Sequence, residues 1–331
     1  MIKSDAHLAL LPKESMNQDE DEADPPPDAG APPRPVTLLI NTRSRRGKEE
    51  FDQAVAAVKN AGISLAEAIA VEDEDKTKAL LQREIEAGAR LVIVGGGDGT
   101  LSHCAGILVH TDVALAVLPL GTGNTLARSL GIPLDLEGAA RSIAEGHIEG
   151  MDVGRDNGRV FVNSVTLGLS AEIAHGLDKK TKQRLGLLAW PVVGAKVLWQ
   201  HRPLSLRVTA AEKSFRARTH QLVISNGRYI AGSVAAAPDA SVQDSCLRVF
   251  VLGGASKREV LRTAWALLRG RHVDDKEARY FATQKVRVES LRRPVKADVD
   301  GEINERTPLE LEVLPRALRV VVPRGFEAEE V

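Results

Sequence analysis

The chain has 331 residues, 43% of them hydrophobic and 27% charged, which is the balance of a globular protein long enough for two cores. Its 44 Lys and Arg against 45 Asp and Glu leave a net charge of −1, and only 3% of residues are aromatic, which excludes a basic nucleic-acid binder with base-stacking platforms. Two distant cysteines, Cys104 and Cys246, and the lack of paired Cys-x-x-Cys or His-Glu-x-x-His motifs exclude a disulfide scaffold and a zinc site and fit a reducing compartment.

No apolar run is long enough for a transmembrane helix, and the Leu8–Leu11 patch is too brief for a signal peptide. Residues 17–35 are acidic and proline-rich with almost nothing to bury, so a disordered, solvated tail is expected there. Val36–Ile40 predicts a strand, Asn41–Gly47 a polar, basic turn, and Phe51, Val55 and Val58 one face of a helix. Ile63–Val71 predicts a second strand, and Leu81 with Ile85 a second helical face. Leu91–Val94 suits a buried parallel strand. It runs into the turn Gly95-Gly96-Gly97-Asp98-Gly99-Thr100, and Leu101, Ala105 and Leu108 then show helical spacing. Val113–Leu118 predicts a further strand, followed by Pro119-Leu120-Gly121-Thr122-Gly123-Asn124-Thr125-Leu126-Ala127-Arg128 and a helix through Leu136, Ala140 and Ile143. Strands alternating with helices predict an open parallel α/β sheet, with all three turns on the edge where such sheets bind ligands.

Past about residue 150 the texture changes. Short strands are expected at Val160–Val165, Leu204–Ala210, Phe215–Ile224, Cys246–Leu252, Val286–Val288, Val295–Val299, Leu309–Val313 and Leu318–Val322, which reads as an antiparallel sandwich. Helical stretches interrupt it at Ala171–Gln200, with a break at Pro191, and at Lys257–Arg271. The expected domains are a tail over 1–35, an α/β nucleotide-binding domain over 36–149, a β-sandwich over 150–323 whose last strand can return to the first domain, and a tail over 324–331.

The first glycine turn has a chemistry of its own. Glycines let the backbone bend and approach a ligand closely, and amides at a helix start can face phosphate oxygens. Asp98, the one charge in the turn, would repel phosphate unless a divalent cation lies between them. The turn therefore points to a phosphate or Mg-nucleotide site. The plainer alternative is an ordinary strand-to-helix turn. No Gly-Lys-Ser/Thr makes it a Walker loop, and its glycines do not fit the dinucleotide fingerprint. Asn41–Gly47 reads equally as a second phosphate-binding edge or as a solvated loop with surface arginines. In Asp298-Val299-Asp300-Gly301-Glu302, a continuous strand would put the three acids on one face, which is more often solvated than metal-bound.

Taken together, the two glycine turns resemble the diacylglycerol kinase catalytic family, which includes the bacterial YegS/DgkB-type lipid kinases and the related sphingosine and ceramide kinases. The resemblance spans about residues 36–323. Asn41–Gly47 sits where the family has its first nucleotide loop, with Thr42 in place of the usual proline. Phe161-Val162-Asn163 with Gly168 resembles the start of the family's second domain. Ala237-Pro238-Asp239-Ala240 with Asp244 resembles the stretch carrying a metal-linked aspartate, and Asp300-Gly301-Glu302 the catalytic acidic pair. Ser245 stands where the family often has glycine, and Gly232-Ser233 where it has a glycine pair.

The resemblance implies a two-domain kinase, its nucleotide domain related to those of NAD kinase and phosphofructokinase, with the active cleft between the domains. It assigns Asn41, Gly95, Gly96, Gly97, Gly99, Thr100, Gly121, Thr122, Gly123 and Asn124 to ATP, with Arg43 and Arg46 as lesser candidates. Asp98 would organise Mg²⁺, with Asp244 and Glu302 completing the carboxylate set. Asp300 leads as general base toward a lipid hydroxyl, with Glu302 as its rival and Asp298 left at the surface. Diacylglycerol is the first acceptor, and a sphingoid base or ceramide the second. A soluble acceptor such as NAD is the third, and a non-catalytic nucleotide- or lipid-binding regulator stays open. The expected location is cytoplasmic, peripheral to the inner face of the membrane, with a homodimer left open. Two basic-apolar stretches, Lys182–Trp190 and Lys257–Arg271, are candidates for contact with the membrane interface or, more plainly, for packing on the second domain.

Overall fold

In the computed structural model the described residues are 35–43, 47–176, 197–211, 213–252, 256–268 and 279–326. The acidic tail up to residue 34, Arg46, Lys182–Trp190, Pro191 and Arg271 lie outside them.

Four aliphatic strands, β1 Val36–Asn41, β2 Leu65–Val71, β3 Leu91–Gly96 and β4 Ala114–Pro119, pair in parallel in the order β2-β1-β3-β4. The central strands read as continuous Val, Ile and Leu because helices cover both faces of such a sheet. The helices are α1 Gly47–Asn60, α2 Glu74–Glu86, α3 Asp98–Leu108, the short α4 Thr125–Ser129, and α5 Leu136–Glu145. Two of them start on capping aspartates. The Asp73 carboxylate accepts from the amide of Asp75, and that of Asp135 from the amide of Gly138. The core is aliphatic, with Leu38, Ile93, Leu101, Leu115, Leu118 and Leu126 fully buried. Each such side chain contributes roughly 1.5–3 kcal/mol.

The second half continues with β5 His147–Asp156, β6 Arg159–Phe161, β7 Ser164–Gly168, α6 Leu169–Gly176, β8 Leu204–Ala210, β9 Lys213–Thr219 and β10 Gln221–Ser225. The hairpin β11 Tyr229–Ala231 and β12 Val234–Ala235 follows, then β13 Leu247–Leu252, α7 Lys257–Leu268, β14 Arg279–Thr283 and β15 Lys285–Ser290. The last three strands are β16 Lys296–Val299, β17 Glu302–Arg306 and β18 Leu309–Val322. An antiparallel sheet in the order β14-β13-β10-β7-β16-β17 packs against β18, β15 and β8 over a core that includes Phe161, Leu167, Leu206, Leu222 and Val288. The fold is a mixed α/β layer followed by an antiparallel β-sandwich.

β18 ties the two halves together. It pairs antiparallel with β15 over Leu309–Glu312, runs antiparallel along β5, and meets β4 in parallel at Val320 and Leu115. Leu309–Val313 and Leu318–Val322, expected as two strands, are therefore one. Its register slips between Leu314 and Leu318, where Pro315 has no amide to give and Arg316 turns left-handed at φ 47°. Buried Asp152 repairs the slip, accepting from the amides of Arg316 at 2.7 Å and Ser245 at 2.6 Å. Burial pushes the Asp152 carboxyl above its ordinary range, and those two amides pull it back.

Other expectations change in detail. Phe215–Ile224 is two strands in different sheets, divided at His220. Val160–Val165 breaks at Val162-Asn163. The helix expected over Ala171–Gln200 has α6 as its described start. Asp298, expected at the surface, is buried at 8% exposure. The acids from Asp298 to Glu302 do not share one strand face, because Asp300 at φ 50° and Gly301 at φ 92° form the turn between β16 and β17.

The β5–β6 hairpin turns on Asn157 at φ 46° and Gly158 at φ 96°, a left-handed pair that suits a two-residue hairpin. Asp156, just before it, is fully buried, and among the described residues neither of its carboxylate oxygens has a partner in hydrogen-bond geometry. Burial pushes its carboxyl up from 3.8 to about 6, the charge of Glu305 adds to this, and the Glu310 backbone and Arg159 offset it in part. The native state thus holds this proton more tightly than the unfolded chain. The group's contribution is fully present below about pH 4 and is lost as pH rises through about 6. Asp156→Asn is expected to stabilise the protein by about 3 kcal/mol at alkaline pH and to change little in acid, which urea unfolding across that range measures.

Candidate active site

Three turns meet at the carboxyl edge of β1, β3 and β4. The Asn41 side chain leaves β1 and donates to Thr100 Oγ1 at 2.7 Å, while its Oδ1 accepts the Arg43 amide at 3.0 Å. The β3 and β4 turns pack backbone on backbone. A Cβ added at Gly121 would stand 2.6 Å from Gly97 Cα, and one added at Gly96 would stand 2.7 Å from Thr100 Cβ. No larger residue fits this contact without moving the turns apart. Gly95, expected in the nucleotide contact set, is buried inside β3 against Ile40 and Leu120.

The start of α3 is open. Its cap is Gly97, which supplies no side-chain hydrogen bond, so among the described residues the first-turn amides have no side-chain cap. A helix start left this way favours anions. Gly97, Gly99 and Thr100 line a cavity of about 260 Å³ together with Asn41, Arg43, Glu72, Asp73, His103 and Glu302.

Asp98 and Asn124 join the two glycine turns. Asp98 Oδ1 accepts from the amides of Thr125 at 2.6 Å and Leu126 at 3.4 Å, and so caps α4. Its Oδ2 fills the space beside Gly123, where a Cβ would stand 2.6 Å away. Asn124 is left-handed at φ 51°, accepts from the Gly121 amide at 2.8 Å and donates to the Gly121 carbonyl at 2.9 Å. Its side chain is thus committed to shaping the turn. Thr122 is exposed at the tip. Gly232, at φ 59°, donates its amide to Thr125 Oγ1 at 3.1 Å and brings the β11–β12 hairpin onto α4.

The second half delivers its acids to the same edge, and they differ sharply. Asp300 Oδ2 accepts from Ser102 Oγ at 2.6 Å and the Val162 amide at 2.7 Å, and Oδ1 accepts from the amides of Asn163 and Ser164, each at 2.9 Å. Desolvation pushes its carboxyl up, and these donors, Ser102 first, pull it back. Four donors use the four in-plane lone pairs, which leaves Asp300 a positioning group. Glu302 is 43% exposed at its side chain and is paired with Arg159. It lines both the first cavity and a neighbouring one of about 690 Å³ along α2, α3 and the β5–β6 hairpin.

Asp244 lies elsewhere in the contact network. It is 2% exposed at the side chain, pairs with Arg248 at 2.8 Å, and accepts from the amides of Ser241 and Cys246. Among the described residues, no three His, Cys, Asp or Glu side chains converge to hold a metal ion. The expected set of Asp98, Asp244 and Glu302 is therefore not assembled, because Arg248 takes the charge of Asp244. Several lining residues, Ser102, His103, Gly106 and Arg159, escaped the motif reading. Gly99, Ser102, His103 and Gly106 follow helical spacing on α3, and that stripe of small and polar residues is the signal that could have found three of them.

The fold and motifs agree with known proteins. The diacylglycerol kinase catalytic domain model matches residues 35–155, and the model of the YegS C-terminal NAD kinase beta sandwich-like domain matches 163–322. A diacylglycerol kinase of Bacillus subtilis (strain 168) is 31% identical over 237 residues, covering 71% of this chain and 78% of the relative. The chain belongs to the diacylglycerol kinase family of lipid kinases. Within this family, a probable YegS-like lipid kinase of Pseudomonas aeruginosa is also 31% identical, over 87% of this chain and 94% of the relative. A diacylglycerol kinase from Bacillus anthracis str. Sterne shares the fold at a TM-score of 0.66 and 18% identity, over 88% of this chain and 97% of that one.

Ser245 adopts φ 55°, the left-handed conformation that glycine takes without strain. Its amide is the one given to Asp152. Ser245→Gly is expected to raise the unfolding free energy by about 1 kcal/mol, seen as a higher denaturant midpoint with an unchanged slope.

Proposed function

We propose that this protein transfers the γ-phosphate of ATP to a hydroxyl of a membrane lipid, with diacylglycerol the first acceptor. The observation that carries the reading is the uncapped start of α3, which opens into a cavity whose far wall holds Glu302 from the other half of the chain. An anion site and a solvent-facing carboxylate on one cavity are what transfer to an alcohol requires. Family membership supplies the lipid and the kinase class.

The residues fit a nucleotide. Amides of Gly97, Asp98, Gly99 and Thr100 would receive phosphate oxygens, with Arg43 also lining the cavity. Glu72 and Asp73, at the end of β2, offer acceptors for ribose hydroxyls. The fit to Mg²⁺ is narrower. With no three-carboxylate cage among the described residues, the ion would be held by Asp98, through its Oδ2, or by Glu302, together with nucleotide phosphates and water. When bound, it would neutralise charge on the phosphates.

Glu302 is the residue to take the proton from the acceptor hydroxyl. Its carboxylate faces the cavity, and Arg159 fixes its direction. An exposed pair of this kind adds little stability, so its value lies in orientation. Asp300 holds the β16–β17 turn from which Glu302 projects. A soluble acceptor has less support, because the relatives at 31% identity are named a diacylglycerol kinase and a probable lipid kinase.

The test is phosphate transfer from γ-labelled ATP with Mg²⁺ to a panel of diacylglycerol, sphingoid base, ceramide and NAD, with Asp98→Asn as control. The side-chain oxygen that this substitution leaves can still accept from the Thr125 amide, so α4 keeps its cap and the variant should fold. Label on diacylglycerol that falls on the order of a hundred-fold in the variant is the expected result. Label on NAD alone, or equal label in the variant, would count against the reading.

A further inference from the structure

β18, β15, β8 and β9 form the sandwich's outer sheet, and alternation turns their apolar residues inward. The outward residues follow the register. Glu289 stands beside Arg207, Arg207 beside Arg216, and Ser205 beside Arg218. Toward β18 the charges are matched, with Glu310 bonded to Arg287, and Glu312 shared by Arg155 and by Lys285 at 2.8 Å. Toward the edge they are not. Among the described residues, Arg207 has only Glu289, at 3.9 Å, and that carboxylate also serves Arg287 at 3.1 Å. Arg216 and Arg218 are exposed and have no ion pair among the described residues.

Two arginines directly opposite on neighbouring strands repel, and folding stability gains nothing from them. Beside them, the amide of Leu291 donates to the Ser205 carbonyl at 2.8 Å. Leu291 is 40% exposed, and the exposed Arg292 and Arg293 follow it. The result is an unmatched cationic edge with an apolar residue at its margin. No aromatic side chain faces out on these strands, since Phe215 turns inward and carries Arg279 over its ring at 4.3 Å, so the face offers no stacking platform for nucleic acid.

We propose that the outward face of β8 and β9, with Arg207, Arg216, Arg218 and the Leu291–Arg293 turn, docks on the anionic surface of a lipid bilayer. The inference rests on the lipid-kinase reading, which puts the acceptor in a bilayer. Charge complementarity selects the occupant, because no described helix is long and apolar enough to cross a membrane, and surface attraction remains. The face is continuous with the candidate site. Its cavity of about 610 Å³, lined by Arg155, Asn157 and Arg287, shares Gly158 with the cavity that holds Glu302.

The experiment is sedimentation of the full chain with phosphatidylglycerol–phosphatidylcholine vesicles and with phosphatidylcholine alone, at low and high salt. Wild type is expected on the anionic vesicles only, with binding that weakens as salt rises. Each arginine removed should cost about five-fold, so Arg207→Gln with Arg216→Gln and Arg218→Gln should lose on the order of a hundred-fold. The same variant should phosphorylate an acceptor in neutral detergent micelles at the wild-type rate. Lys59→Gln with Arg90→Gln and Arg141→Gln removes equal charge from exposed positions of the first domain and should bind as wild type does. Unchanged binding by the first variant, salt-independent binding, or equal loss in the second overturns the proposal. Wild type that binds anionic vesicles but phosphorylates no lipid in micelles supports docking and overturns the kinase reading alone.

Discussion

The carboxylate of Asp300 is the joint on which the candidate site depends. One oxygen reaches Ser102 on α3, in the α/β half, and the other reaches amides at the β6–β7 break in the sandwich half. A carboxylate that accepts four hydrogen bonds in a partly desolvated place is costly to leave unpaired, so the three segments are held together or not at all. The tight β16–β17 turn follows from this, and Glu302 stands two residues beyond the joint. The position of the exposed acid is thus set by the enclosed one.

The glycine-turn side is built on the opposite principle, by leaving the amides at the start of α3 without a side-chain cap. Gly97 caps α3 without a side chain, and the glycine contact with Gly121 brings two turns together without filling the space above them. Asp98 is divided between both tasks, since one oxygen holds α4 and the other remains beside Gly123. Groups saturated by backbone bonds, Asp300 and Asn124, fix the frame, the amides at the start of α3 face the cavity, and Glu302, paired with Arg159, keeps its side chain partly exposed there.

Much of the first half was legible from the sequence because its signals are local. Aliphatic runs ending in Gly95–Thr100 and Gly121–Asn124 mark strands, turns and helix starts within a few residues, and parallel packing then places them on one edge. The sandwich was legible as a class and less so in its joints. β5, read as His147-Ile148-Glu149-Gly150-Met151-Asp152-Val153-Gly154-Arg155-Asp156, alternates poorly, and it is a strand because β18 pairs along it. The unity of β18 was hidden by Pro315 at its register slip. The acids from Asp298 to Glu302 looked like one strand face, and the left-handed Asp300 and Gly301 that separate them are set by distant amides that no local pattern shows. Asp244 matched a motif, but its partner Arg248, four residues on, decides what its charge does.

The most direct measurement is a side-by-side comparison of Asp300→Asn and Glu302→Gln, reading unfolding free energy and phosphate transfer for each. The Asp300→Asn side chain must set an amide N–H against at least one backbone donor, so that variant is predicted to lose about 2 kcal/mol of stability. The Glu302→Gln change falls at a partly exposed position and should alter stability by less than about 0.5 kcal/mol while abolishing most turnover. The opposite pattern, a stable but inactive Asp300→Asn with an active Glu302→Gln, would contradict the division of roles on which the account rests.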